Sequence, residues 1–152
     1  LLMAAKKDNY ITEILNYAQS LGINKEKLII SGWLSQPEMK IALASSDIIL
    51  NPSLCLDAFP KINLEAMASK KPVIATCFGG SPEAVLDGIT GYIINPLDVK
   101  LMAEKTLDLL TNEKRAKNFG DAGNNRVKSE FNLETKAKEL LCLYKSVLQN
   151  KK

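Results

Sequence analysis

The sequence predicts an α/β fold, a doubly wound parallel sheet. Short apolar segments rich in β-branched residues alternate with longer segments whose apolar positions have helical spacing, which is the pattern of a parallel sheet covered by helices. The short segments are continuously apolar instead of alternating with polar residues, as expected for strands buried on both faces. Ligands of such folds bind beyond the carboxyl ends of the strands, so the loops that follow these segments are where we expect a site.

Turn-forming residues mark the ends of the predicted strands. Five segments are predicted as strands: 1–5, 28–30, 47–50, 73–76 and 92–94. Gly32 follows the second strand, Pro52 the third and Gly79 the fourth, in keeping with the role of glycine and proline as breakers.

Seven helices are predicted between and after these strands. Their ranges are 9–21, 37–43, 61–69, a short helix from 82, then 99–110, 115–128 and 132–148. Gly22 ends the first helix and Pro37 opens the second. Ser81 and Asp98 are predicted as N-caps of the helices that follow them, and Asn132 as the start of the last helix.

Length and composition indicate one globular domain over 1–152. The chain has 152 residues, of which 46% are hydrophobic and 24% charged, and a domain usually takes ~100–200 residues. The net charge is +3 with scattered lysines and Lys151-Lys152 as the longest run, so we expect no nucleic-acid partner. No apolar run approaches the roughly 20 residues of a membrane span, and we find no signal-peptide order at the start.

Histidine is absent from the chain, and cysteine is sparse. The lack of histidine excludes Ser-His-Asp and Cys-His nucleophilic chemistry and His-based zinc sites within these residues. The cysteines are Cys55, Cys77 and Cys142, an odd set without close pairs. Such a set favours reduced thiols and a cytoplasmic location.

The segment after the third strand holds the most informative pattern. Asp57 lies in the loop, and Glu65 lies eight positions later in the helix that begins near Lys61. The free N–H groups and dipole of a helix N-terminus suit a diphosphate, and the two carboxylates can accept hydrogen bonds from a ribose diol and from sugar hydroxyls. This is consistent with a site for a sugar joined through a diphosphate to a nucleoside. The alternatives are that Glu65 is simply solvated, that Asp57 caps the helix, and that Phe59 belongs to the core.

Several sequence blocks follow one another in a characteristic order. They are Gly32, Pro52-Ser53, the acidic-x7-acidic motif from Asp57 to Glu65, Glu65-Ala66-Met67-Ala68, Lys71-Pro72-Val73-Ile74-Ala75-Thr76, Gly79-Gly80-Ser81-Pro82-Glu83, Asp87-Gly88-Ile89-Thr90-Gly91 and Asn95-Pro96. With these blocks the chain resembles the C-terminal, donor-binding half of a GT-B glycosyltransferase, with its Rossmann-like fold, in glycosyltransferase family 4 (glycosyl transferases group 1).

The resemblance implies a role for each donor-site residue. It implies that Glu65 holds the nucleotide ribose and that Asp57 contacts the transferred sugar. It implies that the backbone amides of Phe59, Lys61 and Ile62 contact sugar and phosphate.

The loop at Gly32 and Trp33 corresponds to the region near the nucleobase. The chain departs from the family at two motif positions. Asp57 replaces the usual Glu and is shorter by one methylene, and Pro60 replaces a frequent glycine and has no N–H.

The resemblance also implies that the chain is N-terminally truncated. The family's donor domain begins with a further strand and helix whose basic residues neutralise the diphosphate, and Lys6-Lys7 do not lie in a matching context. The acceptor-binding domain is absent as well. We therefore expect this fragment alone to be inactive.

For the complete protein the resemblance implies transfer of a hexosyl unit from a nucleotide-diphospho-sugar to an acceptor hydroxyl, with retention of anomeric configuration. We expect no metal cofactor, because no Asp-x-Asp motif is present. The acceptor is expected to be a saccharide or a lipid-linked compound bound by the missing domain, in surface polysaccharide or lipopolysaccharide synthesis. Peripheral membrane contact is expected through that domain.

Two alternatives remain open, a non-catalytic nucleotide-binding or interaction module and a GT-B nucleotide-sugar epimerase. The acidic-x7-acidic spacing argues against the epimerase. A dehydrogenase is discounted, because no G-x-G-x-x-G follows a strand.

Overall fold

The computed structural model of the chain describes residues 1–3 and 9–149. The predictions that concern Ala4-Ala5, Lys6-Lys7 and Lys151-Lys152 lie outside the described residues. Backbone contacts divide the chain into two compact units, Leu1–Ala42 and Leu43–Lys152. The predicted α/β class with parallel strands is confirmed, and the described strands form two parallel sheets, one in each unit.

The first unit contains a two-stranded sheet. Strand β1 (Leu2–Met3) pairs in parallel with β2 (Ile29–Ile30). Helix α1 (Asn9–Ser20) lies between them in sequence and is followed by a short 3₁₀ helix, Lys25–Lys27, that the sequence pattern did not predict. Gly22, with φ of +75°, stops α1, as predicted.

Hydrogen bonds between Ser35 and Glu38 mark the start of helix α2 (Gln36–Ser45). The backbone N–H of Ser35 donates to Glu38 Oε2 at 2.7 Å, and the carbonyl of Ser35 accepts from the Met39 amide at 2.8 Å. The hydrogen bonds from the hydroxyl and the amide of Ser35 lower the pKa of Glu38. These local hydrogen bonds fix the start of the helix at Gln36, one residue before the start predicted at Pro37.

The second unit contains a three-stranded parallel sheet. Its strands are β3 (Ile49–Asn51), β4 (Val73–Thr76) and β5 (Gly91–Ile94), in the order β3-β4-β5. The pairing places Asn51 beside Ala75, and Thr76 beside Ile94. All four residues of the central β4 are buried, as its continuous apolar sequence predicts. The carboxyl ends of β3 and β4 therefore meet at one edge of the sheet.

Helices α3 (Lys61–Ala68) and α4 (Ser81–Ala84) follow β3 and β4, and α5 (Val99–Thr111) follows β5. Asp98 caps α5 as predicted, since its side chain accepts from the Leu101 amide at 2.9 Å. The core joins the sheet to α5 and to α6 (Glu113–Glu130) through one hydrophobic cluster. The cluster comprises Ile74, Tyr92, Ile94, Leu109 and Phe119.

Close backbone contacts hold α3 against α6. A Cβ atom on Gly120 would lie 2.1 Å from the carbonyl oxygen of Lys70, and one on Gly123 would lie 3.0 Å from Met67 Cγ. Asn124 adds a hydrogen bond from its amide nitrogen to the carbonyl of Ala68 at 2.7 Å. The glycines of α6 thus allow the helix that carries the acidic motif to pack tightly.

Helix α7 (Leu133–Gln149) completes the described chain. Asn132 starts it as predicted, since Oδ1 accepts from the Thr135 amide at 2.8 Å. None of the residues of α7 is buried, and its apolar side chains, which include Leu140, Leu141 and Tyr144, are exposed. In the described parts of the chain, no helix has the length and hydropathy needed to cross a bilayer.

Candidate functional site

Two loops meet at the carboxyl edge of the three-stranded sheet. The first, 52–60, follows β3, and the second, 77–80, follows β4. The amide of Gly80 donates to the carbonyl oxygen of Asp57 at 2.9 Å. The loop after β4 thus supports the loop that carries the first acidic residue of the motif.

The glycine pair is required for this contact. A Cβ atom on Gly79 would lie 2.1 Å from the Asp57 carbonyl oxygen, and one on Gly80 would lie 1.9 Å from the Ala58 carbonyl oxygen. Backbone atoms cannot yield as the end of a flexible side chain can, so no larger residue fits. The sequence alone indicated a turn here, and the structure adds that the turn packs against the Asp57 loop.

The side chain of Asp57 is exposed, and one of its two carboxylate oxygens is hydrogen-bonded within the described residues. Its Oδ1 accepts from the Phe59 amide at 3.0 Å, while Oδ2 has no hydrogen-bond partner among the described residues. The residue that precedes α3 as its N-cap is Pro60, so the alternative that Asp57 caps this helix is wrong. The short turn instead orients the carboxylate and leaves one oxygen available.

Phe59 is half-buried, and its ring packs against Phe131 with centroids 5.6 Å apart. Its amide, which the resemblance assigns to ligand contacts, donates to Asp57 in this structure. A ligand that uses this amide must share or replace that hydrogen bond. The role of Phe59 toward a ligand stays a prediction.

Helix α3 begins at the same edge of the sheet, and Glu65 lies one turn along it. Pro60 has no hydrogen-bonding side chain and does not cap the N-terminus of the helix. The amides of Lys61 and Ile62 therefore have no side-chain partner within the part of the chain that the structure describes. The side chains of Lys61 and Glu65 are exposed and form no ion pair with the described residues. The buried face of the helix carries Ala66 and Met67 instead.

A series of hydrogen-bonded polar side chains, two of them fully buried, positions the start of α3. Asn51 Nδ2 donates to Asn63 Oδ1 at 3.0 Å, and Asn63 Nδ2 donates to Ser81 Oγ at 3.2 Å. The exposed fractions of Asn63 and Ser81 are both 0%. These bonds connect the end of β3, the first turn of α3 and the first residue of α4.

These hydrogen bonds correct the prediction that Ser81 is an N-cap. Ser81 is the first residue of α4, its N-cap is Gly80, and no side chain caps the helix. The Ser81 hydroxyl accepts a hydrogen bond from the side-chain amide of Asn63 instead of from a backbone N–H. The signal that could have found Asn63 is its position as a polar residue between Ile62 and Leu64 in a helix with an apolar face.

The structure brings together five of the predicted site residues in the second unit, and the other two lie in the first unit. Asp57, Phe59, Lys61, Ile62 and Glu65 all belong to the loop 52–60 and to α3. Gly32 and Trp33 follow β2 in the first unit, with φ of +76° at Gly32 and an exposed fraction of 86% at Trp33. A flat aromatic side chain exposed beyond a strand end suits stacking on a base.

The described residues contain no group of three acidic or thiol side chains placed to hold a metal ion. Cys55 and Cys77 are free and exposed in the two loops. Metal independence stays a prediction.

Comparison with known proteins identifies the family. The sequence profile described as "Glycosyl transferases group 1" matches residues 8–126. The chain belongs to this family. The relatives include N-acetyl-alpha-D-glucosaminyl L-malate synthase of Bacillus anthracis, 31% identical over 91% of this chain and 35% of its own length. They also include the capsular polysaccharide biosynthesis glycosyltransferase CapM of Staphylococcus aureus, 32% identical over 61% of this chain and 24% of its own. This chain therefore spans about a third or less of the length of these two relatives.

Solved structures agree with the Rossmann-like fold of a GT-B enzyme. A glycosyltransferase from Rickettsia africae superposes with a TM-score of 0.86 and 28% identity, over 98% of this chain and 40% of that one. Anabaena Alr3699/HepE in complex with UDP-glucose superposes with a TM-score of 0.80 and 20% identity, over 91% of this chain and 37% of that one. The second likeness shows the fold alone.

Proposed function

We propose that this chain is the donor-binding domain of a glycosyltransferase that uses a nucleotide-diphospho-sugar. One observation carries the proposal. The first turn of α3, uncapped by any side chain, lies between Asp57 and Glu65 at the carboxyl edge of the sheet in a group 1 family member. The HepE complex with UDP-glucose, a protein of the same fold, supports this class of ligand.

Each group has a role that its chemistry supports. The amides of Lys61 and Ile62 bind the diphosphate at the start of α3, where the helix dipole favours negative charge. Glu65 accepts hydrogen bonds from the ribose diol. The free Oδ2 of Asp57 accepts from hydroxyls of the transferred sugar, while the Phe59 amide holds Oδ1.

The proposed reaction transfers a hexosyl unit to an acceptor hydroxyl with retention of configuration. The leaving group is a nucleoside diphosphate, so stabilising the charge that develops on phosphate is the main task. The helix amides and cationic side chains perform it without a metal ion. Neither Asp57 nor Glu65 forms a covalent intermediate in this proposal, and the remaining phosphate contacts and the acceptor site belong to further parts of the complete protein.

The complete protein is proposed to act on a saccharide or lipid-linked acceptor in surface polysaccharide or lipopolysaccharide synthesis, in the cytoplasm and at the membrane surface. The name of the CapM relative supports the polysaccharide role. The region around Gly32 and Trp33 is proposed to lie near the nucleobase.

Thermal unfolding in the presence of UDP, GDP and ADP tests the proposal. A ligand present at about 100 times its Kd should add roughly 2.7 kcal/mol to the free energy of unfolding. We expect stabilisation of the complete protein by one of the three nucleotides, reduced in Glu65→Gln. The control is Glu104→Gln, which changes an exposed carboxylate on α5. If none of the nucleotides stabilises the complete protein, the donor-site proposal fails in favour of an interaction module.

A further inference from the structure

An aromatic contact connects the Asp57 loop to the end of α6. The rings of Phe59 and Phe131 are tilted by 47° with centroids 5.6 Å apart, a distance within the range of interacting aromatic pairs. Both side chains are half-buried. Phe131 is the residue that caps α6, and its amide donates to the Val127 carbonyl at 3.1 Å. Residues well outside the acidic motif therefore contact the loop that carries it.

Arg126 fixes the position of Phe131. Its guanidinium carbon lies 5.3 Å from the centroid of the Phe131 ring, within the range of a cation–π contact. Its Nη1 pairs with Glu130 at 2.7 Å. Only 16% of the Arg126 side chain is exposed, whereas 50% of the Glu130 side chain is, so the guanidinium is partly shielded from water while its ion pair remains open to solvent.

The same guanidinium holds the last turn of α4. Arg126 Nε donates to the Ala84 carbonyl at 3.0 Å, and Nη2 donates to the Glu83 carbonyl at 2.9 Å. Carbonyls at the end of a helix lack partners within the helix, and a charged donor makes the stronger kind of hydrogen bond. Arg126 thus anchors α4, which begins directly after Gly80.

Two series of contacts connect the Asp57 loop to Arg126. At one end the Gly80 amide donates to the Asp57 carbonyl, and at the other end Phe131 packs on Phe59. Both routes lead to Arg126, through α4 and through the aromatic contact. The start of α3 has a further support that does not pass through Arg126, because Asn63 accepts from Asn51 at the end of β3 as well as donating to Ser81 of α4.

We propose that Arg126 and Phe131 are positioning residues for the sugar-binding side of the donor site. This inference rests on the proposed function, in which Asp57 contacts the transferred sugar and Glu65 the ribose. Loosening the Asp57 loop then weakens the binding of a nucleotide-sugar while leaving the binding of the nucleoside diphosphate nearly unchanged. A purely structural role for Arg126 and Phe131 affects both ligands equally.

Calorimetric titration of the complete protein separates the two roles. Three donor and product pairs are used: UDP-glucose with UDP, GDP-mannose with GDP, and ADP-glucose with ADP. For the pair that the wild type binds, we expect Phe131→Leu and Arg126→Gln to raise the Kd of the nucleotide-sugar about tenfold, the upper value for losing an aromatic pair. The Kd of the diphosphate should change less than about twofold, and Phe131→Tyr, which keeps the ring, should restore the wild-type ratio.

Phe119→Leu is the matched control, because it removes a ring from the Tyr92–Phe119 pair in the core, whose centroids are 5.2 Å apart. It should lower the melting temperature and leave the ratio of the two Kd values unchanged. An unchanged ratio in Phe131→Leu and Arg126→Gln overturns the inference while the proposed function stands. Failure of the wild type to bind any of the six ligands overturns the proposed function, and the inference with it.

Discussion

The Gly80 amide donates to the carbonyl oxygen of Asp57 at 2.9 Å, and this bond joins the loops that follow β3 and β4. It exists only because residue 80 has no side chain, since a Cβ there would lie 1.9 Å from the Ala58 carbonyl oxygen. The glycine pair therefore supports the proposed sugar contact without touching a ligand itself.

Substitution of Gly80 by alanine should destabilise the protein by about 1–3 kcal/mol, the usual cost of forcing extra atoms into a packed site. The cause is steric, because φ at Gly80 is −86° and is open to alanine. Chemical denaturation of the two proteins measures the difference. Gly88→Ala is the comparison, since Gly88 has φ of +71° but no atom within 4 Å of an added Cβ. Equal nucleotide-sugar affinity in Gly80→Ala and in the wild type contradicts the proposed support of Asp57.

Replacement of Asn63 by leucine should cost about 1–3 kcal/mol, the penalty for leaving buried polar groups without partners. The variant removes the hydrogen bonds to Asn51 and Ser81. Urea unfolding measures the loss, with the exposed Asn118→Leu on α6 as control. A free energy of unfolding equal to that of the control shows that the polar chain contributes nothing to stability.

Lys70 occupies a backbone conformation that favours glycine. Its φ is +58°, and it follows the Ser69 cap of α3 where the Lys71 amide reaches back to the Ala66 carbonyl at 2.9 Å, as in a Schellman motif. Lys70→Gly should therefore be more stable than Lys70→Ala by about 1 kcal/mol. The comparison with alanine cancels the loss of the exposed ion pair to Asp121. Equal melting temperatures of the two variants contradict this account.

Acid should destabilise the fold in part through Asp108. The hydroxyl of Tyr92 donates to Asp108 at 2.6 Å, and Arg115 Nη1 lies 2.7 and 2.8 Å from its two oxygens. Hydrogen bonds from Tyr92 and then from Arg115 lower the pKa of Asp108. A carboxyl group with a lowered pKa in the folded state stabilises the protein above its unfolded pKa of about 3.9, and that stabilisation is lost as pH falls through the folded pKa.

The Asp108→Asn variant should thus lose less stability than the wild type between pH 5 and pH 2 (about the range in which carboxyls titrate). Denaturation curves across that range measure it. Glu104→Gln, which changes a carboxylate without an ion pair among the described residues, should follow the wild-type profile. Parallel profiles for Asp108→Asn and the wild type exclude a contribution from this group.

Much of the fold was predictable because its signals are local. The strand predicted at 73–76 coincides with β4, whose residues are all buried. Asp98 caps α5 through a hydrogen bond to the amide three residues later, so the whole signal lies within one turn. The helix predicted at 61–69 agrees with α3 to within one residue.

The long-range parts of the site were not predictable in this way. Ser81 looks like an N-cap from its neighbours, yet its hydroxyl binds Asn63, eighteen positions earlier. The contact between Phe59 and Phe131 likewise depends on how α6 packs beside the sheet. Local propensity describes neither contact, since each forms between segments that only the tertiary fold brings together.

Glu65 is proposed to bind the ribose diol of a donor nucleotide, and a double-mutant-type cycle tests this most directly, with one change in the protein and the other in the ligand. The Kd of UDP, GDP or ADP, whichever the complete protein binds, is compared with that of its 2′,3′-dideoxy analogue in the wild type and in Glu65→Gln. If the carboxylate accepts from the two hydroxyls, removing them weakens binding by tenfold or more in the wild type, since a hydrogen bond to a charged group contributes about 1.5–3 kcal/mol, and much less in Glu65→Gln. Equal losses in the two proteins would show that Glu65 does not contact the ribose and would contradict the donor site proposed here.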